Sequence, residues 1–359
     1  SFRSSRFSLS VALVFALAAT VALSLVRKAA AQYPGTAFPT ATEAGESKPG
    51  SILFFNLYNS TSGNAAEDTV LALTNTNATT NVLVRLFFVN GTSGSSRNLF
   101  VPLGARQTAT VLASEVDPGV RGYVLAVAVD GTSLCPIQFN HLMGEAGVKF
   151  SSGHGANLSA IAVAALTATP GVCGGGTAVV NFDGVNYNKL PRTLSLNNVA
   201  SIADGNSTML IINRAGGDLT IGTAATTGTL FGVLYDDAEQ PFSFSQGGAT
   251  QVFGILSDNF PRTVPRFSVI VPAGRSGWLK VYNQAQDVAL LGAVLNFNPS
   301  ANSEANAFNG GHNLTHRTLT ATTANYTLPL TAADLTLTKT HTGAFPFAGT
   351  GVYTLTVTN

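Results

Sequence analysis

Apolar and polar residues alternate with a period of two along most of this chain, which is the pattern of half-buried β-strands. In the first half the pattern predicts strands over residues 52–58, 69–74, 81–89, 99–102, 108–112, 122–129 and 136–140. In the second half it predicts strands over residues 178–182, 193–196, 209–213, 230–235, 267–271, 278–282 and 288–297. Residues 158–168 are dense in Ala, Leu and Ile and fit a helix and a buried strand equally well. The pattern as a whole predicts an all-β protein.

A glycine-rich stretch interrupts the strands over residues 169–176. Such a stretch is typical of a linker, because glycine restricts the backbone least. We therefore predict one β-sandwich module over residues 51–168 and a second over residues 177–318. Residues 32–50, rich in Pro, Gly and Thr, are predicted to form a disordered leader.

Short sequence echoes indicate that the two modules arose by duplication. Val101-Pro102-Leu103-Gly104 resembles Val271-Pro272-Ala273-Gly274, and each precedes an alternating run. Gly153-His154-Gly155-Ala156-Asn157-Leu158 resembles Gly311-His312-Asn313-Leu314 near the end of each module. The apolar strand at 84–91 likewise resembles the one at 232–237. We therefore expect His154, Asn157, His312 and Asn313 to occupy related places in two similar folds.

The N-terminus has the composition of an export signal. Arg3 and Arg6 precede an apolar run over residues 9–26, and Ala29-Ala30-Ala31 offers a cleavage site. Arg27-Lys28 after the run also fits an uncleaved membrane anchor. Under both interpretations residues 1–31 direct the rest of the chain out of the cytoplasm, to the cell surface or the medium.

Composition narrows the class of partner. Nineteen Lys and Arg balance eighteen Asp and Glu, so no broad field attracts nucleic acid or an anionic membrane. We expect no nucleic-acid partner, and membrane contact through the N-terminal segment alone.

Cys135 and Cys173 are the two cysteines, and in an oxidising compartment the simplest interpretation is a disulfide. The alternatives are a thiol nucleophile at Cys173 and a pair of free thiols.

The sequence contains no recognised catalytic motif, so we predict that the protein is not an enzyme. His154 and His312 in their Gly-rich settings could serve as metal ligands or as bases, but a structural role in two related turns is favoured. Asp236-Asp237-Ala238-Glu239 and Asp204-Gly205-Asn206 offer oxygen ligands to calcium, although turn formation explains them better. We predict no cofactor, with calcium as the alternative. Trp278 lies in an alternating strand and is interpreted as a core or cross-strand anchor, not a sugar platform.

The C-terminus carries a family resemblance. Asp334-Leu335-Thr336-Leu337-Thr338-Lys339 followed by Tyr353-Thr354-Leu355-Thr356-Val357-Thr358-Asn359 resembles the opening strands of the conserved Ig-like repeat of bacterial surface proteins. Residues 51–318 resemble uncharacterised segments that accompany such repeats. The resemblance implies a truncated Ig-like repeat over residues 325–359 and a place at the cell surface.

The expected fold is therefore two tandem Ig-like or jelly-roll-like β-sandwich modules followed by that partial repeat. The expected function is a non-catalytic structural or adhesive surface protein. Its expected partners are other surface proteins, extracellular matrix or carbohydrate. The alternative is an extracellular module that binds a carbohydrate or a calcium-dependent ligand. The sequence leaves the oligomeric state open.

Overall fold

A computed structural model describes residues 43–60, 67–301 and 307–331, together with two strands over residues 336–340 and 354–358. The described residues are nearly all β, as the alternating pattern predicts, and the sheets are almost entirely antiparallel. The predicted export signal over residues 1–31 lies outside the described residues. The helical turns within the described ranges are too short to span a bilayer.

The first module contains nine strands and one helical turn. Its elements in chain order are β1 (Ile52–Asn59), β2 (Thr69–Asn75), β3 (Val82–Asn90), β4 (Ser96–Leu103), β5 (Thr108–Leu112), α1 (Ala113–Val116), β6 (Arg121–Val129), β7 (Leu142–Lys149), β8 (Gly155–Ser159) and β9 (Ile161–Val163). They form sheet 1a, in the order β4-β3-β6-β1-β9, and sheet 1b, in the order β5-β2-β7-β8. The two sheets enclose one apolar core.

The remaining strands form the second module, a separate sheet and a C-terminal pair. They are β10 (Gly171–Gly174), β11 (Thr177–Phe182), β12 (Pro191–Ala200), the 3-10 turn Ile202–Asp204, β13 (Ser207–Arg214), β14 (Gly217–Asp218), β15 (Thr223–Ala224), β16 (Leu230–Tyr235), β17 (Pro241–Gln246), β18 (Gln251–Ile255), α2 (Phe267–Ile270), β19 (Ser276–Asn283), β20 (Leu290–Phe297), β21 (Gly310–Asn313), β22 (Thr315–Leu319), β23 (Ala324–Pro329), β24 (Thr336–Thr340) and β25 (Thr354–Thr358). Sheet 2a has the order β17-β16-β19-β12-β22, and sheet 2b has the order β18-β13-β20-β21.

The two modules have the same strand order. Taken in chain order, β1 to β9 of the first module correspond to β12, β13 and β16 to β22 of the second. With this correspondence, sheet 1a has the same strand order as sheet 2a, and sheet 1b has the same strand order as sheet 2b. The helical turns also correspond, because α1 follows β5 and α2 follows β18. An internal duplication predicts this identity of topology.

The modules do not stand apart, because sheet 2b is buried on both faces. Leu210 and Ile212 of β13 lie in the core of the second module, whereas Met209 and Ile211 of the same strand lie in the core of the first. Neighbouring residues of a strand point to opposite faces of its sheet. The first module therefore covers the outer face of sheet 2b, and we call this contact the joint.

A further five-stranded sheet covers the outer face of sheet 1a. We call it the roof sheet; its order is β10-β11-β23-β14-β15. Phe182 and Tyr326 of this sheet lie 5.7 and 6.2 Å from the ring of Phe54 on β1. The Tyr123 and Tyr326 hydroxyls are 3.0 Å apart and hydrogen-bonded. Strands that come before, within and after the second module thus complete the burial of the first.

The roof sheet changes three boundaries expected from sequence. The predicted linker over residues 169–176 contains β10, which pairs with β11 in place of forming a flexible connection. Residues 177–182 pair with β23 in the roof sheet and not with sheet 2a or 2b. The predicted start of the surface repeat at residue 325 falls inside β23. A glycine-rich segment can form an extended strand when its backbone N–H and C=O groups find hydrogen-bond partners, and here β11 supplies those partners.

Three local predictions are decided or corrected by the structure. Residues 158–168, which fitted helix or strand, contain the end of β8 and all of β9. The predicted strand at 267–271 is instead the helical turn α2, because Pro265 and Pro272 bracket it and proline cannot donate to a sheet. The predicted strand at 136–140 makes a single bridge at Pro136, and β7 follows it.

Residues 43–50 of the predicted disordered leader are ordered against both modules. Gly45 bridges Ala162, and Glu43 bridges Lys189. β24 and β25 pair antiparallel from Thr336 with Thr358 to Thr340 with Thr354. The rest of the predicted surface repeat beyond residue 331 lies outside the described residues.

Candidate functional site

The two modules share one topology, but the sequence echoes are out of register with it. Val271-Pro272-Ala273-Gly274 follows α2 and leads into β19. The segment in the same place of the first module is Asp117-Pro118-Gly119-Val120, between α1 and β6. Val101-Pro102-Leu103-Gly104 instead closes β4. The two V-P-x-G segments therefore lie in turns that do not correspond between the modules.

The true counterparts share a glycine followed by an aromatic residue. A Cβ on Gly122 would lie 1.8 Å from the Val89 carbonyl oxygen, and one on Gly277 would lie 2.3 Å from the Tyr235 carbonyl oxygen. Each glycine thus lets β6 or β19 approach its neighbouring strand. The residue pair that follows is Val89 with Tyr123 in the first module and Tyr235 with Trp278 in the second.

The repeated histidines occupy different positions. Leu314 donates its backbone N–H to the Gly292 carbonyl, as Ala160 donates to that of Gly144. In this register Asn313 corresponds to Ser159, not to Asn157. His154 precedes β8, whereas His312 lies within β21 and is exposed. The structure does not bring the two histidines to equivalent places.

His154 is a buried contact of the joint. Its Nε2 lies 2.8 Å from the Ser207 carbonyl oxygen in the second module, and its Nδ1 lies 2.9 Å from the Ser152 hydroxyl. Because a carbonyl oxygen only accepts, Nε2 carries the proton and Nδ1 accepts from Ser152. Burial lowers the pKa of His154, and the hydrogen bond to Ser207 offsets part of this effect. The His154 imidazole therefore has a specific hydrogen-bond partner in the second module, the Ser207 carbonyl, which fits the favoured structural role.

Asn313 belongs to a chain of amides buried in the joint. Asn56 in the first module donates its Nδ2 to the Asn313 Oδ1 at 2.8 Å and to the Gly292 carbonyl at 3.0 Å. Asn213 donates to the Asn56 carbonyl at 2.8 Å, and Gln251 donates to the Asn213 Oδ1 at 2.9 Å. All four amide side chains belong to buried residues. Amide groups of both modules thus depend on each other for their hydrogen bonds.

An aromatic contact extends the joint. The Arg121 guanidinium of β6 lies 3.5 Å from the centroid of the Phe253 ring of β18, and Phe253 also contacts Phe150 at 6.0 Å. Burial lowers the pKa of Arg121. A cation on an aromatic face is stabilised most where water is excluded, so this contact adds to the joint.

The predicted disulfide between Cys135 and Cys173 is present, with a Cα–Cα distance of 6.1 Å. Cys135 lies in the loop between β6 and β7, and Cys173 lies on β10 of the roof sheet. The bond therefore ties the roof sheet to the first module. No free cysteine is found in the part of the chain that the structure describes.

The acidic stretches considered for calcium are engaged in turns and ion pairs. The Asp236 carboxylate accepts from the backbone N–H groups of Ala238 and Gln240. Asp237 pairs with Arg275, and the Asp204 carboxylate accepts from the backbone N–H of Gly274. No group of three or more metal-ligating side chains occurs within the described ranges.

His312 and His316, four residues apart in the sequence, lie on β21 and β22 in different sheets.

Two of the open grooves in the described part of the chain lie against the first module. The larger, about 590 Å³, is lined by residues of β3, β4 and the loop after β6, Asp130 among them. The other, about 440 Å³, lies over sheet 1b and is lined by Glu46, Lys48 and Glu145 among others. Neither groove is lined by His154 or His312.

Sequence reasoning missed Arg85, which holds the roof sheet in place. Its guanidinium is buried between the rings of Phe87 and Phe100, 4.9 and 4.8 Å from their centroids. It donates to the carbonyl oxygens of Pro329 and Thr331 at the end of β23. Burial lowers its pKa to about 10. The sequence feature that could have pointed to Arg85 is that it is a single charged residue in the middle of the apolar strand β3.

Comparison with known protein families, curated proteins and solved structures yields no match to this chain. The functional conclusion therefore rests on the residues and their geometry.

Proposed function

We propose that this chain is an exported, non-catalytic structural or adhesive protein of the cell surface. In this role the two β-modules act together as one stiff body that carries whatever is attached to its ends. The N-terminal signal predicted from sequence supports export, and the disulfide fits an oxidising compartment.

The joint is the observation that supports a structural role most directly. Modules that bend or bind independently are usually connected by linkers and small polar interfaces. Here Met209, Ile211, Ala293 and Leu295 of the second module lie in the core of the first. Bending at the joint would expose this apolar surface and break the buried amide chain, so both effects oppose it.

Surface location is tested by proteolysis of intact cells that produce the full chain. We expect a protease added to the medium to remove the protein while cytosolic proteins survive. Protein recovered before proteolysis should yield no alkylated Cys135 or Cys173 until a reductant is added. Protection of the chain in intact cells, together with two alkylatable thiols, would show that it is retained in the cytoplasm.

A mechanical role is tested separately on purified protein. The expected result is small-angle scattering with the profile of a single rigid particle that is unchanged by moderate salt. A profile that requires an ensemble of module orientations would contradict the structural role, wherever the protein is located.

A further inference from the structure

The outer faces of sheets 1a and 2a are equivalent, but one of them is covered. In sheet 1a the cross-strand pairs Val89 with Tyr123, Phe87 with Leu125, and Arg85 with Val127 lie beneath the roof sheet. The corresponding pairs in sheet 2a are Tyr235 with Trp278, Val233 with Lys280, and Phe231 with Tyr282. We call these six residues of sheet 2a the aromatic face.

The six residues beneath the roof sheet and the six residues of the aromatic face differ in burial. All six residues beneath the roof sheet are buried, with Arg85 and Tyr123 the most accessible at 2%. All six residues of the aromatic face remain partly exposed. Trp278 is therefore a cross-strand partner of Tyr235, as expected, but it also remains open to a ligand, which revises the expectation that it is not a sugar platform. The structure therefore contains two copies of the same surface, one closed by a protein layer and one open.

The residues at equivalent positions make the open copy unsuited to a purely apolar cover. Val89, Leu125 and Val127 are replaced by Tyr235, Lys280 and Tyr282. Covering these would remove one ammonium and two phenol hydroxyls from water, which is costly unless the cover supplies hydrogen bonds. An occupant of the aromatic face must therefore present both apolar surface and many polar groups.

The rings form a strip along the strands. Tyr235 and Trp278 stack with their centroids 3.8 Å apart, and Phe231 and Tyr282 meet edge to face at 5.5 Å. The two pairs are four residues apart, which is roughly 13 Å along a strand. Lys280 lies between the two pairs along β19, and its ammonium is 5.5 Å from the centroid of the Tyr282 ring. This strip suits an extended ligand more than a compact one.

Polar groups border the strip on both sides. On β17 the exposed residues Ser243 and Ser245 pair with Val233 and Phe231, so they share the face. On the other side Arg317 is held over β12, where its Nε donates to the Ser195 Oγ and its Nη2 to the Asn197 Oδ1, both at 2.7 Å. Lys280 and Arg317 make this surface cationic.

We propose that the aromatic face binds a carbohydrate chain. Pyranose rings have apolar C–H faces that pack on aromatic rings, and their hydroxyl edges would meet the serine hydroxyls and the two cations. Chains that carry carboxylates are bound more tightly than neutral ones, because Lys280 and Arg317 complement their charge. This site goes beyond the structural role, and its loss would leave the joint intact.

Trp278 provides a direct probe, since it is the single tryptophan in the sequence. The full chain is titrated with polygalacturonate, alginate and hydroxyethyl cellulose while tryptophan emission is recorded. We expect a saturable change in emission with at least one of the three, and a lower midpoint for the acidic chains. No change with any of them overturns the proposal.

Variants separate the site from non-specific adsorption. Tyr282→Ala should weaken binding about tenfold or more, because it removes one ring of the strip. Lys280→Gln keeps every ring and should remove only the preference for acidic chains. The control Ile221→Ser changes an exposed apolar residue outside the face and should leave the titration unchanged.

The same variants distinguish a carbohydrate from a second copy of the chain. Each is examined by circular dichroism to establish folding and by light scattering to determine mass. Binding that persists unchanged in folded Tyr282→Ala and Lys280→Gln overturns the proposal. A wild-type dimer that Tyr282→Ala converts to a monomer also overturns it, because the aromatic face is then an interface between copies.

Discussion

Asn56 of the first module and Asn313 of the second are joined by a buried hydrogen bond of 2.8 Å. Asn313 also donates its Nδ2 to the Ser159 carbonyl of the first module at 2.6 Å. One side chain of β21 thus satisfies two groups of the first module. The bond links strands that are far apart in the sequence, and its loss would leave polar groups unpaired inside the joint.

Replacing Asn313 by Ala should lower the free energy of unfolding by about 2–3 kcal/mol, because buried polar groups lose their partners. Asn157→Ala is the matched control. It changes the asparagine of the other echo, which is exposed on β8, and should cost less than about 0.5 kcal/mol. Urea unfolding of both variants measures the difference. Equal effects would show that Asn313 contributes no more than a surface residue.

The equivalence of Gly122 and Gly277 predicts matched responses to a methyl group. Gly122→Ala and Gly277→Ala should each destabilise the protein by about 3 kcal/mol or more, because both place a Cβ against a backbone carbonyl. Gly131→Ala is the control, since a Cβ on Gly131 would meet no atom within 4 Å. Thermal unfolding compares the three. Tolerance of either strand substitution would refute the shared close approach.

Removing the disulfide should destabilise the attachment of the roof sheet. The bond closes a separation of 38 residues, for which the chain-entropy relation gives about 4 kcal/mol. The double variant Cys135→Ser, Cys173→Ser should lose about this amount in urea unfolding. Reduction of the wild type should reproduce the loss. An unchanged midpoint in both cases would show that the roof sheet is held without the bond.

Stability should fall in mildly acidic solution. Burial lowers the pKa of His316 from its ordinary 6.5 to about 4, and a hydrogen bond to the backbone of Ala44 offsets part of the shift. The unfolded chain therefore binds the proton first, so stability is complete above pH 6.5 and declines as the pH falls toward 4. Because the side chain is partly exposed, we expect a loss of about 2 kcal/mol.

The variant His316→Asn tests this assignment. It should flatten the stability profile between pH 4 and 6.5. Two smaller slopes remain: one from His154, whose pKa is also lowered, and one of opposite sign from Glu46, whose pKa is raised by burial. Urea midpoints measured at several pH values across this window provide the profile. A variant that retains the full wild-type slope would assign the acid sensitivity to other groups.

Period-two patterning predicted twelve strands, namely β1 to β6, β11 to β13, β16, β19 and β20, in most of which burial alternates or is complete. β3 and β19 were predicted within a residue or two of their ends. β7 was missed, since Gly144 interrupts the apolar residues of its core face and Glu145 and Gly147 lie on its open face. The cysteine pair predicted the disulfide, because a predicted export signal and an even number of thiols leave few alternatives.

The joint and the roof sheet could not be predicted from local pattern. Met209 and Ile211 look like the outward residues of any buried strand, and only the tertiary structure shows that they enter the other module. The V-P-x-G echo was misleading because proline and glycine recur in turns of many kinds. The correct counterparts, at Pro118 and Pro272, differ by a one-residue insertion before their glycine-aromatic pairs.

Calorimetry of residues 43–331 with the disulfide intact shows whether the two modules form one body. If the joint unites them, heat unfolds them in a single transition whose calorimetric and van't Hoff enthalpies agree. Two resolved transitions, or a calorimetric enthalpy about twice the van't Hoff value, would show that the modules unfold independently and would contradict the account.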